Sequence, residues 1–258
     1  MSLVAPILAM LALWWISTGA ILVLGERSAQ ARALAMGMIT IAAIGALASV
    51  WLLRDAATPA GAYAGAGAAL VLWAWHEMSF LFGFVTGPNR KPCPEGLSGY
   101  AKFRAAAATL IHHEVAIAAT VIVLAGLSFA AANQVALWTF ALLFALRLSS
   151  KFNLFCAAPH FTDSFLPARL SHLRSYFSVK PTGWFFAGST GAITALAAGL
   201  FYHAAMAASP FEMAAYALLG ALAALGAIEH LFLALPVQDA ALWRWLLPAR
   251  DPRRSPDL

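Results

Sequence analysis

Charge is what this sequence has least of. Only 27 of 258 residues are charged, 16 Lys or Arg and 11 Asp or Glu, a share of 10%, where a soluble domain carries about 25%. With 62% of the chain hydrophobic, a soluble globular protein is excluded and a membrane protein is expected. Cysteine is almost absent. Cys93 and Cys156 are too few and too far apart for a disulfide framework or a zinc motif. Under the topology below both lie on the reducing cytoplasmic side, where a disulfide is not expected. Met1 to Pro6 has no basic n-region. The apolar run after it exceeds the 7 to 15 residues of a signal-peptide core, so this segment is expected to stay as the first span. Also missing are a nucleophile elbow, a phosphate loop, a zinc-protease helix and a dinucleotide fingerprint. The net charge of +5 and pI near 9.6 come without a basic face or a binding motif, so no nucleic-acid partner is expected.

What is present is a series of long apolar runs, over residues 3–24, 33–53, 61–86, 105–130, 135–157, 183–208 and 211–235. Each is long enough to cross a bilayer. Between them stand turn residues such as Thr58-Pro59, Gly87-Pro88-Asn89, Asn133-Gln134 and Ser209-Pro210. The expected fold is all-α, a single integral membrane domain of seven spans over residues 1–258. Of the 16 Lys and Arg, 13 fall in alternate connections and the tail, Arg147 and Lys151 lie toward the same side in the second half of the fifth run, and Arg54 stands alone on the other side. The positive-inside rule then places the N-terminus outside and the C-terminus in the cytoplasm. Both long loops, 87–104 and 158–182, become cytoplasmic. Residues 236–258 form a cytoplasmic tail, in which Ala240 to Leu247 sets Leu242, Trp245 and Leu246 on one helical face beside Arg244, as in a short interfacial helix. Gly61 and Gly65 form a small-xxx-small pair, read as tight internal packing rather than a dimer motif. No inverted pair of broken helices marks a transporter, although carboxylates in spans would serve as proton relays in one.

Ionisable residues inside spans are costly, roughly 2.5–3.5 kcal/mol each, and point to a site. Here they form a layer. His76 and Glu77 lie in the third run, His112, His113 and Glu114 in the fourth, Arg147 and Lys151 in the fifth, and Glu229 and His230 in the seventh. All lie about 9–15 Å from the cytoplasmic helix ends at 1.5 Å per residue. His76, Glu77, His112, His113, Glu114, Glu229 and His230 are candidate metal ligands, with His160 and His172 in the next loop as further ones. The pairs are adjacent, about 100° apart on a helix, and lack the Glu-x-x-His spacing of di-iron bundles. A second reading makes a histidine the axial ligand of a tetrapyrrole, walled by Trp73, Trp75 and Phe80. The third is a structural network in which Arg147 or Lys151 neutralises a glutamate. Lys151 is expected to snorkel to the headgroups, and His203 to lie at the outer interface.

Longer motifs carry a resemblance. They are Trp75-His-Glu-Met-Ser-Phe-Leu-Phe-Gly83, Thr86-Gly-Pro88, Cys93-Pro-Glu-Gly-Leu-Ser-Gly99, Phe103-Arg104, His112-His-Glu114, Asn133-Gln-Val-Ala-Leu-Trp-Thr-Phe140 and Ser150-Lys-Phe-Asn-Leu-Phe155. Phe165-Leu-Pro167, Ser171-His-Leu173, Ser175-Tyr-Phe177, Glu229-His230 and Leu242-Trp-Arg-Trp245 continue them. On these the chain resembles the PuhE family, photosynthetic complex assembly proteins found among the photosynthesis genes of purple phototrophic bacteria. The resemblance implies a multi-pass protein of the bacterial inner or intracytoplasmic membrane, with lipid, reaction-centre or light-harvesting subunits and bacteriochlorophyll biosynthesis proteins as partners. It leaves the cofactor open between bacteriochlorophyll or a precursor and a transition metal, and it implies no mechanism. An assembly factor without turnover is the first reading. A metalloenzyme, or enzyme subunit, of bacteriochlorophyll biosynthesis is the alternative.

Overall fold

The computed structural model describes residues 3–160 and 166–236. The expected interfacial helix at 240–247, the rest of the basic tail and Phe165 lie outside the described residues. Among the described residues the chain is helical and without strands. Its α-helices are α1 (Val4–Gly25), α2 (Ala29–Leu52), α3 (Pro59–Leu81), α4 (Gly99–Ala107), α5 (Ile111–Leu127), α6 (Val135–Cys156), α7 (Trp184–Ala205) and α8 (Pro210–Ala234). A 3₁₀ segment, Ala168–Tyr176, precedes α7.

Helix starts follow the turn chemistry. Thr58 caps α3 by accepting from Gly61 N at 3.1 Å, with Pro59 in the first turn, where its missing N–H costs nothing. Ser209 and Glu212 close a capping box on α8 ahead of the same use of Pro210. At the opposite end of the bundle from the long loops, Asn133 ties two turns together. Its Nδ2 donates to Gly61 O at 2.9 Å, and its backbone N donates to Arg54 O at 2.7 Å.

Five helices, α1, α2, α6, α7 and α8, are long and apolar enough to cross a membrane. The α4–α5 pair makes a sixth if counted as one span bent by 68°. The sequence runs anticipate a helix at each of seven places, but the fourth is broken and α3 is not apolar enough to meet the same standard. The reason lies in α3 itself. It is rich in Ala and Gly, carries His76-Glu77, and has 13 of 23 residues buried, so it faces protein on most sides. It packs against α1, α2, α5, α6 and α8, with α7 resting chiefly on α8. Small residues allow these approaches. A Cβ on Gly65 would come within 3.1 Å of Ala136 N, and one on Gly226 within 2.6 Å of the Leu146 side chain. The Gly61/Gly65 pair therefore serves packing inside the chain.

Two apolar clusters share α3. One joins Met10, Ala66, Leu70, Leu143, Leu146, Leu218 and Leu222; the other joins Ala46, Ala69, Ile117, Leu124 and Phe140. At about 25 cal/mol per Å² of apolar area removed from water, such contacts fix helices that leave water for lipid. Within the lipid itself, close packing decides which faces meet.

Candidate functional site

The break between α4 and α5 builds the site. Asn89 N donates to Ala108 O at 3.0 Å and His113 N donates to Thr86 O at 3.1 Å, so loop 86–89 takes up backbone groups that a continuous helix would pair internally. Gly87 is required there, because a Cβ would overlap the backbone of Ala108 to Leu110. Freed in this way, α4 lies across the end of the bundle. The loops beneath it are pinned, with Asn89 Nδ2 donating to Ala105 O at 3.0 Å and to Tyr176 OH at 2.9 Å, and Tyr176 OH donating to Lys91 O at 3.2 Å.

Under this roof is a cavity of about 740 Å³. Its walls are mostly apolar and aromatic, including Trp14 of α1, Trp73 and Phe80 of α3, Phe103 of α4, Phe152 and Phe155 of α6, Tyr176 of the 3₁₀ segment and Phe232 of α8. One strip of wall is charged, formed by Glu77, Glu114, Arg147, Lys151 and Glu229. Arg147 Nη2 reaches Glu77 Oε2 at 3.4 Å, and Lys151 Nζ forms a close ion pair with Glu114 Oε1. The carboxylates are well buried, whereas the Arg147 side chain is 44% exposed toward the space. Lys151 does not snorkel. It sits one helical turn from Arg147 on the same face of α6, and its Nζ lies 5.8 Å from the centre of the Phe80 ring.

Behind the strip, outside the cavity, lie two buried imidazoles. His76 Nε2 meets Thr120 Oγ1 at 2.9 Å, and that hydroxyl already donates to Ala116 O at 3.1 Å. The imidazole is therefore the donor, which leaves Nδ1 as an acceptor without a partner among the described residues. His113 stacks on Phe80 with ring centres 4.6 Å apart and stands 6.3 Å from the His76 ring. Neither of its nitrogens has a partner among the described residues. His230 faces elsewhere. Its Nδ1 donates to Gly226 O at 2.8 Å, and its Nε2 accepts from the Ser149 hydroxyl at 2.8 Å.

The structure thus brings His76, Glu77, His113, Glu114, Arg147 and Lys151 together, with Glu229 close enough to act electrostatically on Arg147. It leaves His112 exposed and His230 buried against Ser149 and Gly226, apart from the others. Among the described residues no three His, Cys, Asp or Glu side chains gather as a metal ion would need. Of the aromatic wall, Trp73 and Phe80 line the cavity, while Trp75 turns to α2 and donates to Thr40 Oγ1 at 2.9 Å. His160 lines the cavity, and His172 lies in the 3₁₀ segment with a buried Nε2 that has no partner among the described residues. Burial first, and then the nearby Arg90 charge, hold the His172 imidazole below its ordinary value. Thr120 and Ser149, the histidine partners, escape sequence reading. Thr120 had one signal, its place two turns after His113 on one face of α5.

The chain matches, over residues 1–254, the family described as "Protein of unknown function (DUF3623)". It is 35% identical over 249 residues to the "Uncharacterized 30.4 kDa protein in puhA 5'region" of Rhodobacter capsulatus, covering 94% of this chain and 90% of that protein. No solved structure matches.

Proposed function

Because the chain belongs to the DUF3623 family, whose description leaves its activity open, we propose from its cavity that it is a membrane factor supporting assembly of the bacterial photosynthetic apparatus. It does so by holding bacteriochlorophyll or a precursor for delivery. The observation that carries this reading is the cavity of about 740 Å³, apolar and aromatic on most of its wall and charged along one strip. Its size lies in the range of small-molecule and cofactor sites, which combine apolar walls with a few placed polar groups. A flat tetrapyrrole would lay its ring against Trp73, Phe80, Phe103 and Phe155, and turn its polar edge to Arg147 and the glutamates. Two further points support it. The R. capsulatus relative is named for its place in the puhA 5' region, and the motifs from Trp75 to Trp245 resemble the PuhE family.

The reading includes seven spans, with α3 as the protein-enclosed one and α4–α5 as one broken span. The N-terminus is outside, the C-terminus and the cavity roof are cytoplasmic, and the membrane is the inner or intracytoplasmic one. Reaction-centre or light-harvesting subunits, or pigment-synthesis proteins, would receive the ligand at the roof. Cavity charge is nearly balanced, with two cations facing three carboxylates, so binding rests on shape and on burial of apolar surface.

The test is absorption spectroscopy and elemental analysis on protein purified gently from a phototrophic host. Bound bacteriochlorophyll or a precursor is expected, reduced several-fold by Thr18→Trp, which fills the cavity from α1. A strain lacking the gene should accumulate fewer pigment-protein complexes. Normal pigment and complexes in that strain would overturn the proposal. About one equivalent of a transition metal without pigment would replace it with the metalloenzyme reading.

A further inference from the structure

A cluster of three arginines stands at the turn between α1 and α2, away from the cavity wall. Arg169, from the 3₁₀ segment, reaches across to this turn and its Nη2 donates to Gly25 O at 3.2 Å. Arg32, in the first turn of α2, folds back so that its Nη1 donates to Arg27 O. Arg27 is the third. The Arg169 stem has a seat made for it. Gly83, in the left-handed region at φ +82°, lies beneath it, and a Cβ there would meet Arg169 Cδ at 3.3 Å.

Each bond to a backbone carbonyl uses only one of five guanidinium donors. None of the three arginines forms an ion pair among the described residues, whose ion pairs are those of Arg54, Arg147 and Lys151. Partial burial and then the like charge of Arg32 hold Arg169 below its ordinary value, with Glu26 opposing them. Like charges held together with one nearby carboxylate gain from an anion between them. Guanidinium forks match phosphate oxygens in geometry as well as charge. The cluster also sits at the adjoining ends of α1 and α2, two helices long and apolar enough to cross a membrane.

We propose that Arg27, Arg32 and Arg169 form a binding site for the phosphate of an anionic phospholipid headgroup. The site does not depend on what fills the cavity, yet it acts on it. A phosphate held by Arg169 and Arg32 ties the 3₁₀ segment to the α1–α2 turn. Leu173 and Tyr176 of that segment line the cavity, so lipid binding would fix part of its wall.

The experiment is native mass spectrometry of the purified full chain in detergent, titrated with phosphatidylglycerol or phosphatidylcholine, with millimolar inorganic phosphate as a separate arm. The wild type should hold one phosphatidylglycerol about tenfold or more tighter than phosphatidylcholine, as charge-assisted contacts imply. Arg32→Gln/Arg169→Gln should abolish the preference, with Arg169→Lys falling between. Inorganic phosphate should not displace the lipid. A preference unchanged in the double variant would overturn the site, and displacement by inorganic phosphate would overturn the lipid assignment. Unfolding midpoints in phosphatidylcholine alone show whether the variants fold. Should the double variant fail there, Arg27→Gln and Arg169→Lys give the same reading.

Discussion

The Lys151–Glu114 pair makes a quantitative prediction about how this bundle tolerates charge. Both side chains are largely buried, 21% and 12% exposed, and Glu114 Oε2 has no partner among the described residues. Replacing Lys151 with Met keeps the bulk of the stem but strands the carboxylate. Breaking a buried pair from one side costs about 3–5 kcal/mol. Lys151→Met should therefore lose about 3–5 kcal/mol. Glu114→Gln alone strands the ammonium and should cost a similar amount. The double variant Lys151→Met/Glu114→Gln removes both charges and should return to within about 1 kcal/mol of the wild type, because a buried pair gains little over a neutral replacement. Reversible denaturant unfolding in mild detergent measures all three. The double-mutant cycle should then show coupling well above the few tenths expected of independent sites. A double variant as unstable as the two single losses combined would refute the view that the strip is a mutually neutralising network.

Other perturbations test the frame around that strip. Asn133→Ala removes three contacts of a 6% exposed side chain, to Gly61 O, Leu53 O and Val135 N, and should cost about 2–3 kcal/mol of unfolding free energy. Gly226→Val would drive a branched side chain into Leu146 and should cost about 1–3 kcal/mol; a variant as stable as wild type would show that α6 and α8 are free to part. His172 has its affinity for protons lowered by burial and by Arg90, so the unfolded chain binds more protons than the folded one below the ordinary histidine value. Stability is then full above that value and falls as pH drops below it. His172→Gln should flatten this slope in thermal unfolding scans at stepped pH.

Much of the bundle was legible because membrane spans announce themselves by length. The apolar runs place the helices to within a few residues, as with Val135–Cys156 against an expected 135–157. The break in the fourth run was not legible. Ala105 to Leu110 contains no Pro or Gly, and the helix ends there because residues 86–89, far back in sequence, supply tertiary partners for its backbone. That ionisable residues of separate runs lie near one another was readable by counting residues, but not that Lys151 would pair with Glu114 rather than snorkel. Which of two adjacent residues faces inward was not readable. His112 and His113 differ only in rotation about α5, and that rotation is set by the stacking of His113 on Phe80.

The break in the fourth run also explains why charge and cavity coincide. Were α4 and α5 one straight helix, Glu114 would lie in its interior, with neither a free helix end nor an aqueous edge nearby. The 68° bend instead places it in the first turn of α5, where the unpaired N–H groups and the helix dipole favour a carboxylate. Lys151 supplies the rest of its compensation. The same bend swings α4 out to become a roof, which opens the space that Phe103 and the aromatic residues of α6 line. Arg147, opposite, then faces a cavity rather than a packed helix and keeps its guanidinium half exposed. A chain selected only for stability would fill this space and neutralise the layer with apolar residues, since buried pairs add little to folding. Retaining both at one break, together with a glycine that only close backbone contact requires, fits a site kept for a ligand.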